Sequence, residues 1–321
     1  MEKLRVGIIG PGRVAKRLAN ALNNIENAIL HSVCSRNIER ALKFIEENAT
    51  GITAAYDNYQ VFLKDKNLDA VIVSTPDTDH TYYIIEAIKA GKHVFVEKPL
   101  CTNLSDAKSI LEICHNYPHL KLAVGYHLRW HDGLRMLSQY IKNNDMGTIF
   151  HMKMCWAHTF IKEANWRNSL ASSKWWSLSA LGTHCLDIAR WYLLPNCGEV
   201  KKVTCITSNT LFGTTDESAL LSLEFGSGAM VSIYTSILFD SPLNLELFSS
   251  NTHVIGEELT GDEGKRKITV NGKKIHFQEK SNLYIKELNN FIGSIQSNHD
   301  PEVTGKEAYK NIECLLKNHC L

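Results

Sequence analysis

Net charge is almost absent from this 321-residue chain, in which 35 Lys and Arg stand against 34 Asp and Glu for a formal +1. So balanced a sequence exerts no electrostatic pull on a polyanion or an acidic membrane, which argues against nucleic acid and membrane partners. Long apolar runs are missing too. None approaches the ~18 residues that a spanning helix needs, and Met1-Glu2-Lys3-Leu4-Arg5 leads straight into a short apolar strand rather than a signal-peptide core. The nine cysteines contain no CxxC pair and are odd in number, so neither a disulfide framework nor a metal site is expected. Buried thiols in a reducing compartment, the cytoplasm, account for them. Internal repeats and low-complexity stretches are also lacking. What is present is a 44% apolar fraction, too high for disorder, in a length suited to two domains.

From Leu4 to Val124, short apolar runs alternate with helical periodicity. Strands are expected at Leu4 to Ile9, Ile29 to Cys34, Ala70 to Ser74, Val94 to Glu97 and Leu122 to Val124, with helices between them. This alternation predicts an α/β domain, residues 1–124, with a doubly wound parallel sheet of Rossmann type. Beyond Gly125 the texture changes to longer strands at Thr148 to Trp156, Val200 to Thr207, Ala219 to Phe225 and Ala229 to Ile237. Helices are expected at Gly133 to Asn143 and Ser179 to Leu193, and again at Leu283 to Ile295 and Lys306 to Asn318. Residues 125–321 therefore read as an α+β domain with a largely antiparallel, open sheet. The C-terminal helices are candidates to pack back on the first domain.

Gly10-Pro11-Gly12-Arg13-Val14-Ala15 follows the first strand and opens the first helix. Gly10 suits the tight turn, Gly12 lets the backbone approach a pyrophosphate at the helix N-terminus, and Ala15 permits close helix-strand packing. An NAD-selective carboxylate is missing from the end of the second strand, which reads Cys34-Ser35-Arg36-Asn37. Ser35 and Arg36 can instead bind a 2′-phosphate, with Arg13 and Arg40 able to share that role, so NADP(H) is favoured and NAD(H) is the alternative.

The runs Ser74-Thr75-Pro76, His80, Ala90-Gly91-Lys92-His93 through Glu97-Lys98-Pro99-Leu100, Gly125-Tyr126-His127-Leu128-Arg129 and Gly182-Thr183-His184-Cys185-Leu186-Asp187 stand in a telling order. Together with Pro301-Glu302-Val303-Thr304-Gly305-Lys306-Glu307-Ala308 they closely resemble the glucose-fructose oxidoreductase, inositol dehydrogenase and rhizopine-catabolism (Gfo/Idh/MocA) family. The resemblance spans nearly the whole chain. It implies an NAD(P)-dependent oxidoreductase in which Lys98 is catalytic, Glu97 and Lys98 contact the cofactor, His184 exchanges the substrate proton, and the second domain serves substrate binding and oligomerisation. Ser74, Thr75, Pro76 and His80 fall at cofactor positions, and Tyr126 and Arg129 at substrate positions. Chemistry agrees with these roles. An ammonium at a strand's C-terminal end can hold a substrate oxygen and stabilise alkoxide character, and an imidazole exchanges protons near neutrality.

One departure stands out. Many polyol dehydrogenases of the family carry an aspartate four residues before this histidine, and here that position is Ala180. Its loss weakens the case for inositol-type oxidation in favour of ketone or aldehyde reduction, with Ser177, Ser179 and Glu163 as candidate substitutes. Trp156, Trp166, Arg167, Trp175 and Trp176 crowd a segment that, by analogy with the family, approaches the cofactor cleft. Trp166 and Arg167 are the candidate contacts there, with Asp187 beside His184, and interface packing is the alternative for the tryptophans. The expected activity is hydride transfer between NADP(H) and a carbohydrate-like alcohol or carbonyl, in a homodimer or homotetramer. A cofactor-dependent glycosidase and a non-catalytic dinucleotide or sugar sensor are the competing readings.

Overall fold

The computed structural model describes residues 3–51, 53–143, 146–160, 166–211, 214–261, 265–278 and 282–317. The chain divides into two compact units, Met1–His127 with Ser281–Ile312, and Leu128–Lys280 with Glu313–Leu321.

The first unit is built on six parallel strands: β1 (Leu4–Ile9), β2 (Ala28–Cys34), β3 (Ala54–Tyr56), β4 (Ala70–Val73), β5 (His93–Glu97) and β6 (Leu122–Gly125), in the order β3-β2-β1-β4-β5-β6. Helices α1 (Arg13–Asn23), α2 (Ile38–Asn48), α3 (Tyr59–Leu63), α4 (His80–Lys89) and α5 (Leu104–Asn116) connect them. All four residues of β4 are buried, as covering helices on both sheet faces require. Strand order reverses between β1 and β4, the crevice in which open α/β sheets bind ligands beyond the strand carboxyl ends. The strand β3 was not expected, because Ala-Ala-Tyr is too short to show a period. Near the C-terminus, α8 (Leu283–Gln296) packs Leu288, Phe291 and Tyr284 into the same core as Ala15 and Leu18 of α1. The stretch before α9 (Gly305–Lys317) bridges β6 through Ala123 and Thr304.

The second unit carries eight strands: β7 (Ile149–Ala157), β8 (Val200–Ser208), β9 (Ser218–Phe225), β10 (Met230–Ser236), β11 (Ser241–Ser249), β12 (His253–Glu257), β13 (Lys267–Val270) and β14 (Lys273–Ile275). Their order is β14-β13-β12-β11-β7-β10-β9-β8, and only β7 with β10 is parallel. Four of these strands, β11 to β14, extend the sheet beyond the sequence expectation. One face packs Met152, Met154, Leu221, Leu223, Val231, Ile233, Leu245 and Leu247 with residues of α6 (Asp132–Lys142) and α7 (Thr183–Cys197). Across the other face, Ile206, Leu220, Tyr234 and Cys155 stand opposite one another in register, with Ile206 67% and Leu220 44% exposed.

The expected helix from Ser179 begins instead as a wider π-turn, Leu178–Gly182, which runs into α7. Gly182 accommodates that turn, since a Cβ there would lie 2.9 Å from the Leu178 side chain. No disulfide joins two of the described cysteines, and Cys320 and Asn318 lie outside the described residues. Among the described residues no helix is long and apolar enough to cross a membrane, and no group of His, Cys, Asp and Glu could hold a metal ion.

Candidate active site

In the first unit the phosphate loop forms where β1 meets α1. Gly10 adopts φ +85°, and a Cβ on it would come within 2.8 Å of the Ser74 carbonyl oxygen, so only glycine fits. Its N–H donates to the Cys34 carbonyl at 3.1 Å. At Gly12 a Cβ would meet nothing nearer than 3.9 Å, so the backbone there faces open space. The helix that follows has no side-chain cap and no acid in its first turn. Its N–H groups and positive dipole end suit a phosphate. Pro11 and Val14 are half-buried beside the loop and Arg13 is exposed.

The loop after β4 is tied to this one. The Ser74 hydroxyl donates to the carbonyls of Ile9 at 3.1 Å and Gly10 at 3.0 Å. Thr75 Oγ1 is buried and has no hydrogen-bond partner among the described residues, a donor and acceptor that a ligand lying on this loop would satisfy. Pro76 precedes a single 3₁₀ turn, Asp77–Asp79, that leads into α4. At the edge of β2, Ser35 is buried, its N–H donating to the Tyr56 carbonyl, while Arg36 is exposed. A carboxylate reaches this edge from the neighbouring strand. Asp57 follows Tyr56, and its charge adds to the burial that pushes the Cys34 thiol up to about 12.

Glu97 ends β5 and Lys98 follows it, both buried. Space for the Glu97 carboxylate comes from Gly125, where a Cβ would sit 3.3 Å from Glu97 Oε1. Beside them lies a group that the sequence reading missed. His127 stacks on Tyr284 with ring centroids 5.2 Å apart, and Arg17 Nη1 donates to the Tyr284 hydroxyl at 3.1 Å. Burial first, then the Lys98 ammonium and Arg17, push the His127 imidazole down to about 3, so it is neutral across the physiological range. Burial and the Glu97 charge hold the Tyr284 phenol above its ordinary value. Only the motif position hinted at His127, and Tyr284 comes from a helix more than 150 residues downstream. Tyr126, expected at substrate, is fully buried.

In the second unit His184 sits in the first turn of α7, 2% exposed, with the Trp156 ring at 5.8 Å and tilted 47° to it. One turn later Asp187 faces Arg129. Arg129 Nε and Nη2 donate to the two Asp187 carboxylate oxygens at 2.7 and 2.6 Å, and both residues are buried. These two candidate substrate residues thus pair with each other. Arg129 also lies 5.6 Å from the centroid of the Trp191 ring, and Arg135 donates to the Arg129 carbonyl at 2.9 Å.

Asp216 is the carboxylate that the sequence reading overlooked. Its oxygens accept from the Trp176 N–H at 2.7 Å, the Ser177 hydroxyl at 2.6 Å and the Leu178 N–H at 2.8 Å, which caps the π-turn leading to His184. Burial wins over these bonds and raises its pKa to about 6. A single Asp between Thr215 and Glu217 offers no local signal of this role. Ser177 is thereby committed to Asp216, and Ser179 accepts from Arg167 Nε at 3.3 Å. Glu163 lies outside the described residues. Of the tryptophans, Trp175 and Trp176 are buried, whereas Trp166 is 37% exposed under the Arg167 guanidinium, 4.1 Å from its ring centroid.

Residues 4–126 match the model of an oxidoreductase family with an NAD-binding Rossmann fold, and residues 134–260 match the GFO/IDH/MocA C-terminal domain. The chain belongs to the Gfo/Idh/MocA oxidoreductase family. Myo-inositol 2-dehydrogenase of Thermotoga maritima is 25% identical over 317 residues, covering 95% of this chain and 92% of that protein. Among solved structures, aldose-aldose oxidoreductase from Caulobacter crescentus, complexed with glycerol, superposes with a TM-score of 0.87 at 20% identity over 98% of this chain and 96% of that one. Levoglucosan dehydrogenase in complex with NADH and L-sorbose does so with a TM-score of 0.84 at 17% identity over 97% and 94%. As a member of this family the chain is an oxidoreductase whose first unit is the NAD-binding type of Rossmann fold.

Proposed function

We propose that the protein transfers hydride between NADP(H) and a carbohydrate-like alcohol or carbonyl, with Lys98 anchoring the substrate oxygen and His184 exchanging its proton. The buried Lys98 just past the carboxyl end of β5, beside a neutral His127, carries this reading. Relatives named for inositol, aldose and levoglucosan chemistry support the carbohydrate class. The nicotinamide, when bound, supplies the hydride acceptor or donor. Gly10, Gly12 and the open start of α1 would hold the pyrophosphate, together with the loop of Ser74, Thr75 and Pro76. The Lys98 ammonium stabilises the negative charge that develops on the substrate oxygen, in surroundings from which water is largely excluded. His184 takes the hydroxyl proton on oxidation and returns it on reduction. Arg129 and Asp187 act by fixing the helix that carries His184.

Support for NADP(H) comes from the exposed guanidinium of Arg36 beside Ser35 at the edge of β2. Asp57 works against it there. Fluorescence titration with NADPH and NADH tests the cofactor reading, followed by a turnover screen over sugars and keto-sugars. Tighter NADPH binding, with turnover on at least one polyol, aldose or ketose, is the expected result. Tighter NADH binding refutes the NADP assignment, and turnover confined to non-carbohydrate carbonyls refutes the substrate class. The register row Ile206, Leu220, Tyr234 and Cys155 supports subunit pairing through the open face of the second sheet. Light scattering should report a dimer or tetramer that Leu220→Lys dissociates.

A further inference from the structure

His80 opens α4 with its ring buried, 1% exposed, and both ring nitrogens face backbone carbonyls. Nδ1 lies 2.8 Å from the Pro99 oxygen and Nε2 3.1 Å from the Thr75 oxygen. The Pro99 bond reaches 19 residues along the chain, so it caps no helix. Each carbonyl belongs to a loop with chemistry in it: Pro99 follows Lys98, and Thr75 follows the serine whose hydroxyl is bonded to Ile9 and Gly10. Side-chain bonds therefore connect the phosphate loop, the β4 loop and the lysine turn in that order. Both contacts are hydrogen bonds when both ring nitrogens carry a proton; with a single proton the ring donates to one carbonyl and packs against the other, filling the gap between them. With both nitrogens so directed, any contact of the ring with a cofactor is through its carbon atoms or its face.

We propose that His80 is a positioning residue that couples occupancy of the dinucleotide loops to the placement of Lys98. This inference rests on the reading of the first unit as the cofactor unit. A ligand satisfying Thr75 Oγ1 and resting on that loop fixes the adjoining carbonyl, the carbonyl fixes the imidazole, and the imidazole fixes the Pro99 carbonyl and with it the backbone that aims Lys98. No substrate is needed to detect such coupling. Hydrogen exchange followed by mass spectrometry, on the full chain with NADPH and NADH as probes, should show protection of residues 74–78 and of 97–102 in the wild type. In His80→Phe, which keeps an aromatic ring without nitrogens, protection of 74–78 should persist while that of 97–102 falls at least tenfold toward the ligand-free rate. His80→Gln, with one donor of similar reach, should recover part of it, and it carries the test if the Phe variant does not fold. Unchanged protection of both segments in the variants overturns the proposal, and so does their joint loss. A wild type in which neither nucleotide protects 74–78 overturns the cofactor reading itself.

Discussion

The two units hold their chemistry in place by different means. In the first, three polar side chains around the loops are met by main chain: Lys92 Nζ donates to the carbonyls of Asp65 and Leu68 at 3.0 and 2.7 Å, Ser74 to those of Ile9 and Gly10, and His80 faces those of Thr75 and Pro99. In the second, charged side chains do the positioning: Arg129 against Asp187, and Asp216 under the π-turn. Main-chain scaffolding is sensitive to a single Cβ and indifferent to the identity of surface charges. Side-chain scaffolding has the opposite sensitivity, and it fails when one partner of a pair is removed.

The largest effect is therefore expected in the second unit. Arg129→Leu leaves the Asp187 carboxylate buried without its fork, at a cost of about 3–5 kcal/mol. Calorimetry should show a marked fall in melting temperature, and the double variant with Asp187→Leu should restore much of it. A larger loss in the double variant would mean that the pair is not the unit of stabilisation. Gly10→Ala comes next. Left-handed backbone for a residue with a Cβ costs about 1–2 kcal/mol, and the added carbon overlaps the Ser74 carbonyl, so dinucleotide affinity should fall more than tenfold by fluorescence titration. Arg36→Ala should follow, weakening NADPH by about 1.5–3 kcal/mol while leaving NADH nearly unchanged.

Two opposed pH dependences complete the comparison. His127 is held at about 3 against an ordinary 6.5, so the unfolded chain binds the proton more readily, and stability from this group is lost as pH falls from 6.5 toward 3. Asp216 is held at about 6 against an ordinary 3.8, so the folded chain binds the proton more readily, and stability falls as pH rises from 3.8 through 6. Denaturant melts between pH 4 and 6 should show His127→Phe flattening the first dependence and Asp216→Asn the second. Slopes of the same sign would contradict the contrast between the units.

The same contrast explains what could be read from the chain. Gly10, Gly12 and Glu97-Lys98-Pro99 were picked out because the backbone setting they impose is local, so it shows in their spacing. The parallel sheet was legible because its strands are short, mostly apolar runs, unbroken in β4, that alternate with helical periodicity. Arg129 and Asp187 were singled out separately, yet nothing in a 58-residue separation says that they bind each other. Asp216, His127 and Tyr284 acquire their roles only when the fold surrounds them, and β3 and β14, at three residues each, are too short to show a period.

The central claim is that Lys98 anchors the oxygen that gains or loses hydride. Steady-state turnover of wild type and Lys98→Ala, with the sugar or keto-sugar found by the screen and saturating nucleotide, tests it most directly. The account predicts a loss of at least about 10³-fold in kcat with dinucleotide affinity within about threefold of wild type, a difference of about 0.65 kcal/mol. Near-wild-type turnover in Lys98→Ala would contradict it.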